Sequence, residues 1–143
     1  MANSKYVWLD GKLVEWANAT VHVQTHALHY GSSIFEGIRA YASPQGPKVL
    51  FLKEHMRRLY ASAKMFRMDI PFSIDEYTTA LKQIVIANEH DSCYIRPLVF
   101  RGDEALGVNP RKNSVHATIL TMVWGAYLGA EALESGVDIG VSS

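Results

Sequence analysis

The order of its predicted elements places this 143-residue chain in the α+β class, as an antiparallel sheet with two packed helices. Short apolar runs typical of strands occupy residues 6–52. Two segments with helical periodicity follow within 53–88, and two longer apolar runs lie within 93–123. Strands, then helices, then strands favour one sheet with the helices segregated from it, rather than alternating parallel units.

The first predicted elements are strands. Asp10-Gly11 separates the apolar runs 6–9 and 12–16, and both turn residues accept positive φ, so the pattern predicts a hairpin. We expect one strand over about 34–41, followed by a turn rich in proline and glycine. The chain then returns as a strand over 48–52.

Two helices are predicted next. Apolar residues recur at helical spacing over 53–66. Ser73-Ile74-Asp75-Glu76 has the pattern of a capping box, and its acids suit the dipole at a helix start. It predicts a second helix from this point to about Asn88. Segments 93–100 and 115–123 are predicted as an antiparallel pair, and the long loop 101–114 between them is typical of functional segments.

Composition excludes several classes of function. Fourteen basic residues balance fourteen acidic ones, which argues against binding to nucleic acid or to an anionic membrane. Residues 1–10 are too polar for the apolar core of a signal peptide, and no apolar run approaches the roughly 20 residues of a membrane span. Cys93 is the single cysteine, so we expect no intrachain disulfide and a cytoplasmic location.

The segment 29–41 carries the most informative pattern. In an extended chain Phe35, Gly37 and Arg39 share one face, and the intervening residues, including Glu36, share the other. The first face offers a ring and a guanidinium with a gap between them, which suits the wall of a small-molecule site. The alternative is a core strand whose two charges pair with each other or with a neighbour.

Several sequence blocks, in a fixed order over almost the whole chain, carry a resemblance to a known family. They are Val21–Gly31, His29–Tyr41, Lys53–Leu59, Tyr94–Leu98, Leu106–Pro110 and Trp124–Gly129. With these blocks the sequence resembles the branched-chain amino-acid aminotransferases, which are class IV, fold type IV pyridoxal-phosphate enzymes. The resemblance implies transfer of the amino group of leucine, isoleucine or valine to 2-oxoglutarate, giving branched 2-oxo acids and glutamate.

Relatives on the same fold are the alternatives. D-amino-acid aminotransferases and aminodeoxychorismate lyases usually have Phe-Gly-Asp-Gly where this chain has Tyr30-Gly31-Ser32-Ser33. They also lack the Phe-Glu-Gly-Ile-Arg run found at 35–39. Both differences favour the branched-chain group. An enzyme that also accepts aromatic amino acids stays open, as does a non-catalytic oligomerisation domain related to the enzyme by truncation.

The resemblance assigns roles to individual residues. Arg58 would bind the phosphate of pyridoxal 5'-phosphate, since guanidinium offers paired donors to phosphate oxygens, and the adjacent Arg57 is the exposed alternative. Arg96 lies in an apolar strand, where it has either a structural acid partner or an anionic substrate. The resemblance favours the second, with Arg96 recognising the distal carboxylate of glutamate or 2-oxoglutarate, and Glu36 is interpreted as structural. The full predicted substrate-binding set is Tyr30, Phe35, Arg39, Tyr94, Arg96, Leu106, Val108, Trp124 and Tyr127.

The resemblance also implies an assembly. Leu106 and Val108 match family residues that reach into the pocket of a partner subunit, and Tyr30 is a candidate for the same role. We therefore expect a homodimer or a higher homo-oligomer with shared active sites. A metal site formed by His22, His26 and His29 is disfavoured, because no carboxylate or cysteine completes a ligand set at a familiar spacing.

The same resemblance predicts the domain organisation. Residues 1–123 would form a small N-terminal domain, 124–129 an interdomain linker, and 130–143 a short helix and strand that begin the large cofactor-binding domain. The family's Schiff-base lysine belongs to that large domain, and none of the lysines present lies in a segment matching its motif. We therefore expect no catalytic lysine here, and no transamination by these residues alone.

Overall fold

The computed structural model describes residues 4–125 and 129–141. This part of the chain contains seven strands and four α-helices, as the α+β prediction requires. The strands are β1 (Tyr6–Leu9), β2 (Lys12–Glu15), β3 (Ser33–Phe35), β4 (Ile38–Tyr41), β5 (Lys48–Val49), β6 (Cys93–Arg101) and β7 (Val115–Met122). The helices are α1 (His26–Tyr30), α2 (Leu52–Met65), α3 (Ile74–Ala87) and α4 (Ala130–Ser135), with short 3-10 turns at Trp16–Asn18 and Pro110–Lys112.

The strands form one antiparallel sheet in the order β2-β1-β7-β6-β4-β5. β6 is the longest strand, and along one edge it pairs with β7 over nearly its whole length. Along its other edge it pairs with β3 and then with β4. The predicted hairpin is confirmed as β1 and β2, with positive φ at Asp10 and Gly11. β6 therefore brings the two halves of the sheet into register.

The segment predicted as a single strand over 34–41 is interrupted, which corrects that expectation. The register is continuous, because Phe35 lies opposite Leu98 and Ile38 lies opposite Ile95. Between these pairs the Glu36 N–H donates to the Pro97 carbonyl at 3.0 Å. Proline has no N–H to return the bond, so one rung of the ladder is lost and the strand divides into β3 and β4.

Helices α2 and α3 cover one face of the sheet, as the sequence predicts. Ser73 and Glu76 form the predicted capping box, in which each side chain accepts from the other residue's backbone N–H. The helices bury a shared apolar stripe against β1, β4, β6 and β7. Its largest fully buried members are Met56, Leu59, Tyr77, Leu81, Ile84, Ile38, Ile95, Val99 and Ile119. In the described part of the chain, the opposite face of the sheet has no helical layer of this kind.

The structure differs from the sequence prediction in three smaller respects. The strand predicted over 48–52 is limited to Lys48–Val49, because Leu52 already begins α2. The short helix α1 has no counterpart in the sequence prediction. Helix α4 agrees with the helix expected after the linker, but residues 136–141 form no strand. Among residues 4–125 and 129–141, none of the helices has the length and hydropathy of a membrane-spanning segment. The proposed domain boundaries stay predictions.

Tyr77 gives the first test of this packing. Its side chain is fully buried, and its hydroxyl donates to the carbonyl of Thr118 at 2.8 Å, which burial from water makes costly to lose. Burial also raises the pKa of Tyr77, so the hydroxyl stays protonated as a donor. We expect Tyr77→Phe to lower the free energy of unfolding by about 1 kcal/mol in urea denaturation. The matched variant Tyr6→Phe should change it much less, and equal effects would contradict this account.

Candidate active site

Arg96 is held on the helix-free face of the sheet by two aromatic side chains. Its guanidinium carbon lies 4.6 Å from the ring centroid of Phe35, at the end of the neighbouring strand β3. The same guanidinium donates from Nε and Nη2 to the hydroxyl oxygen of Tyr94, at 3.2 and 3.1 Å. Tyr94 and Arg96 are two residues apart on β6, so their side chains leave the same face. The cation is therefore fixed in orientation.

Gly37 is required for this arrangement. A Cβ atom at this position would lie 2.8 Å from the Tyr94 hydroxyl oxygen, which is closer than van der Waals contact permits. The absence of a side chain between Phe35 and Arg39 lets the Tyr94 phenol lie across the gap between β3 and β4. The gap that the sequence pattern indicates at Gly37 is therefore occupied by the Tyr94 side chain of the same chain.

Trp124 and Arg39 extend the group toward the end of β7. The rings of Tyr94 and Trp124 meet edge to face with centroids 5.3 Å apart. Arg39 donates from Nη1 to the Trp124 carbonyl at 3.1 Å, so it fixes the backbone at this point. We call Phe35, Arg39, Tyr94, Arg96 and Trp124 the Arg96 cluster. Five predicted substrate residues are thereby brought together, whereas Tyr127 lies outside the described residues.

The Arg96 cluster combines apolar surface with a cation. Flat rings supply large rigid contact area for an aliphatic side chain. Within 4–125 and 129–141, no carboxylate forms an ion pair with Arg96. A half-buried guanidinium without an acid partner can accept an anionic group from a ligand. The arrangement can therefore bind an apolar group and a carboxylate close together.

Glu36 carries the second charged group of the region, on the opposite face of the same segment. Its side chain is only 5% exposed. Arg58 of α2 donates to it from Nε and Nη2 at 2.5 Å each, and Nδ1 of His55 lies 2.9 Å from its Oε2. Of the alternative pairings, that of Glu36 with Arg39 is wrong because these two residues face opposite sides, whereas pairing with a neighbour is confirmed for Glu36. The predicted structural role of Glu36 takes a specific form: it binds the candidate phosphate arginine.

Burial and the neighbouring cations shift the pKa of Glu36 in opposite directions. Desolvation by burial raises the pKa of this carboxyl, but the hydrogen bonds and charges of Arg58 and His55 outweigh it. The pKa of Glu36 therefore lies below its ordinary value. The hydrogen bonds and the negative charge of Glu36 raise the pKa of Arg58, whose guanidinium is charged at any working pH.

Arg58 fits the binding of a phosphate. Its side chain is 67% exposed, although one edge of the guanidinium is fixed by Glu36. In the described part of the chain, the hydrogen bonds of Arg58 use Nε and Nη2, so the Nη1 donors remain for an anion. Arg57, the adjacent alternative, is exposed on α2 and lies outside this contact. The donor set thus suits a phosphate at the exposed side of Arg58.

Tyr30, Leu106 and Val108 form a separate group. No hydrogen bond or ring contact joins them to the Arg96 cluster among the residues that the structure describes. Leu106 and Val108 lie in the long loop, are 54% and 84% exposed, and flank Gly107. The Gly107 carbonyl lies 2.8 Å from Nε2 of His26, whose ring stands 4.5 Å from that of Tyr30. The side chains of Tyr30, Leu106 and Val108 are therefore exposed on the surface of this chain.

The three histidines of the disfavoured metal site do not converge. His26 bonds Ser32 and Gly107, Nε2 of His29 lies 2.9 Å from the Val23 carbonyl, and His22 accepts from the backbone N–H of Gln24. Each imidazole ring therefore forms hydrogen bonds with groups of the protein itself. Among the described residues, no three His, Cys, Asp or Glu side chains are placed to hold a metal ion.

The helix-free face of the sheet also contains an apolar groove of about 380 Å³. It is lined by residues of β1, β6, β7 and the 16–28 segment, including Val7, Trp16, Leu28, Leu98 and Leu120. None of the predicted site residues lines it. Convergent polar groups of the kind that can orient a ligand are found instead in the Arg96 cluster.

Comparison with known proteins decides the family. Residues 33–141 match the model described as amino-transferase class IV. The chain belongs to the class IV aminotransferase family. The match begins at Ser33, the first residue of β3, and so includes Glu36, Arg58 and the Arg96 cluster.

Individual members of the family are similar over nearly the whole chain. The branched-chain-amino-acid aminotransferase of Escherichia coli strain K12 is 52% identical over 139 residues, which cover 96% of this chain and 45% of that protein. The crystal structure of an Escherichia coli branched-chain amino acid aminotransferase superposes with a TM-score of 0.91 and 51% identity, over 98% of this chain and 46% of the other.

A second similar crystal structure contains a bound ligand. The branched-chain amino acid aminotransferase from T.th., complexed with N-(5'-phosphopyridoxyl)-L-glutamate, superposes with a TM-score of 0.83 and 48% identity. That alignment covers 87% of this chain and 42% of the other. The chain spans about 45% of the length of the curated relative described above.

Sequence reasoning missed two residues that organise the site. His55 contacts Glu36 together with Arg58, and the i, i+3 spacing of His55 and Arg58 on a predicted helix was a usable signal. For His26 the sequence favours hydrogen bonding in the fold or at an interface over metal binding, but it does not identify the partners. The contacts of His26 depend on a loop that is distant in sequence, which no local pattern could have indicated.

Glu36 gives a prediction for the dependence of stability on pH. Because its pKa is lower in the folded chain than the ordinary 4.5, its contribution is present above about pH 4.5 and is lost as the pH falls through the folded pKa. We expect Glu36→Gln to lower the free energy of unfolding at pH 6, and to differ less from the wild type toward pH 3. Urea denaturation across this range measures the difference. Glu54, at an exposed position of α2, is the control. A difference that stays constant with pH, or that Glu54→Gln reproduces, would contradict this assignment.

Proposed function

We propose that this chain contributes the small domain of a pyridoxal-phosphate aminotransferase that acts on branched-chain L-amino acids and 2-oxoglutarate. The observation that carries the proposal is Arg96, which lies against the Phe35 ring, is oriented by Tyr94 and has no acid partner in the described residues. Membership of the class IV family and 52% identity to a branched-chain-amino-acid aminotransferase support it.

The two substrates place conflicting demands on one pocket. A branched aliphatic side chain requires dry apolar surface, whereas the side chain of 2-oxoglutarate ends in a carboxylate. Phe35 and Trp124 would contact the aliphatic group, and Arg96 at their margin would pair with the carboxylate. The Tyr94 hydroxyl accepts from the guanidinium, so Arg96 stays in place when the aliphatic substrate is bound.

The cofactor would be held in part by Arg58. When bound, pyridoxal phosphate supplies an electron sink for the substrate's α-carbon. Glu36 holds one edge of the Arg58 guanidinium, which leaves Nη1 for the phosphate. The lysine and the acid that the cofactor ring requires would come from the large domain, of which residues 130–143 would be the beginning after a linker at 124–129.

The exposed group formed by Tyr30, Leu106 and Val108 would complete the pocket of a second copy of the enzyme. Leu106 and Val108 are apolar and largely uncovered in this chain, which fits a role at an interface. The proposed assembly is a homodimer or a higher homo-oligomer, in the cytoplasm. The Arg96 cluster, Arg58 and this group would then be the parts of the active site that this chain supplies.

Arg96→Ala in the whole enzyme tests the substrate assignment. The two half-reactions are measured separately, with leucine and with 2-oxoglutarate. Charge-assisted hydrogen bonds contribute about 1.5–3 kcal/mol, so kcat/KM for 2-oxoglutarate should fall by roughly tenfold to a hundredfold. kcat/KM for leucine should fall much less. Arg96→Lys, which keeps the positive charge, should retain part of the activity with 2-oxoglutarate. Equal losses in both half-reactions would refute the role, and a wild-type enzyme inactive with this pair would refute the proposed function.

Arg58→Ala tests the cofactor assignment. Loss of a charge-assisted phosphate contact should weaken binding of pyridoxal 5'-phosphate by about tenfold or more, measured by equilibrium dialysis. Arg57→Ala is the matched control, because Arg57 is exposed one position away on the same helix. Unchanged affinity in Arg58→Ala, or an equal loss in Arg57→Ala, would overturn the assignment.

A further inference from the structure

His26 is a buried polar residue without a role in the mechanism above. It begins α1, and the residue as a whole is only 1% exposed. Both ring nitrogens have partners: Nδ1 lies 2.7 Å from the hydroxyl oxygen of Ser32, and Nε2 lies 2.8 Å from the carbonyl oxygen of Gly107. A buried imidazole with both nitrogens satisfied fixes the positions of the groups that it bonds.

One partner determines where the ring carries a hydrogen. A carbonyl oxygen only accepts, so Nε2 carries the hydrogen and donates to Gly107. The Ser32 hydroxyl can either donate or accept, so its bond with Nδ1 is satisfied in both cases. The bond from Nε2 to Gly107 is therefore the one whose direction the partners set.

His26 connects α1 to two points of a loop that is distant in sequence. Its backbone N–H donates to the Gly102 carbonyl at 2.8 Å, at the start of the long loop. Its side chain reaches Gly107 near the outer end of the same loop. Its ring stands 4.5 Å from that of Tyr30, one turn later on α1. A single residue therefore relates the loop to the Tyr30 ring.

The outer part of the loop has little else to hold it. Asn113 donates to the carbonyls of Gly102 and Ala105, and Gln24 donates to the carbonyl of Asp103. These bonds fasten the base of the loop. We call residues 106–108 the tip of the loop. In the described part of the chain, the tip is held by one hydrogen bond, which His26 donates to the Gly107 carbonyl. The side chains on either side of Gly107 are mostly exposed and add little packing.

We propose that His26 is a positioning residue that sets the 106–108 tip relative to the Tyr30 ring, and thereby controls how tightly the pocket binds branched aliphatic substrates. The proposal rests on the proposed function in one respect, the contact of Tyr30, Leu106 and Val108 with substrate. The holding of the tip by His26 depends only on the contacts above.

The consequence is a specific kinetic signature. Residues that contact only the substrate's aliphatic part change binding in the ground state and the transition state alike. Release of the tip should therefore raise KM for leucine and leave kcat nearly unchanged. A general loss of folding would instead reduce the active fraction and lower kcat.

The test uses His26→Phe in the whole enzyme, with His26→Gln and His22→Phe beside it. Phenylalanine keeps a buried ring but cannot donate to Gly107, whereas the glutamine amide can. Hydrogen exchange is followed by mass spectrometry in peptides covering 103–109 and, as a folding control, 93–101. Steady-state KM and kcat for leucine are measured on the same preparations.

We expect faster exchange at 103–109 in His26→Phe, unchanged exchange at 93–101, and a rise in KM of about threefold to tenfold from loss of one buried hydrogen bond. His26→Gln should lie between this variant and the wild type, and His22→Phe should match the wild type. Unchanged exchange at 103–109, faster exchange in both peptides, or a fall in kcat at constant KM would overturn the proposal. A wild-type enzyme inactive with leucine would refute the proposed function, and the exchange comparison would still decide whether His26 holds the tip.

Discussion

The contact between Glu36 and α2 is the constraint on which the candidate site depends. A carboxylate that is 5% exposed is costly to bury without partners, and here Arg58 and His55 supply them. The same contact joins α2 to the strand segment 33–41 and fixes one edge of the Arg58 guanidinium. Because side chains alternate along a strand, the inward direction of Glu36 also determines that Phe35 and Arg39 face outward.

Pro97 interrupts the pairing of this segment with β6 without disturbing its two faces. It removes a rung of the ladder opposite Glu36 without shifting the register, so β3 and β4 remain aligned on β6. Gly37 lies in the interruption and leaves room for the Tyr94 hydroxyl. The Arg96 cluster thus lies on one side of this segment, and the proposed phosphate arginine approaches it from the other. His26 adds a third connection, because it links α1 to the loop that carries Leu106 and Val108.

The sequence predicted the elements whose signals are local. Asp10-Gly11 predicted the first hairpin, Ser73 and Glu76 predicted the start of α3, and alternation along 34–40 predicted which side chains share a face. It did not predict the division into β3 and β4, because that depends on a proline in a strand about 60 residues away. The pairing of Glu36 with Arg58, and the bond from His26 to Gly107, are likewise long-range contacts. The roles of the site residues came from resemblance to a family, since an isolated arginine on a helix is usually just solvated.

The measurement that tests the account most directly is a double-mutant cycle of Glu36→Gln and Arg58→Ala on the affinity of the whole enzyme for pyridoxal 5'-phosphate. If Glu36 acts on the cofactor only by holding Arg58, Glu36→Gln should weaken binding in the presence of Arg58 and have no further effect once Arg58 is alanine. The account therefore predicts that the double variant binds with the affinity of Arg58→Ala alone. Losses that add independently, or a Glu36→Gln variant with wild-type affinity, would contradict it.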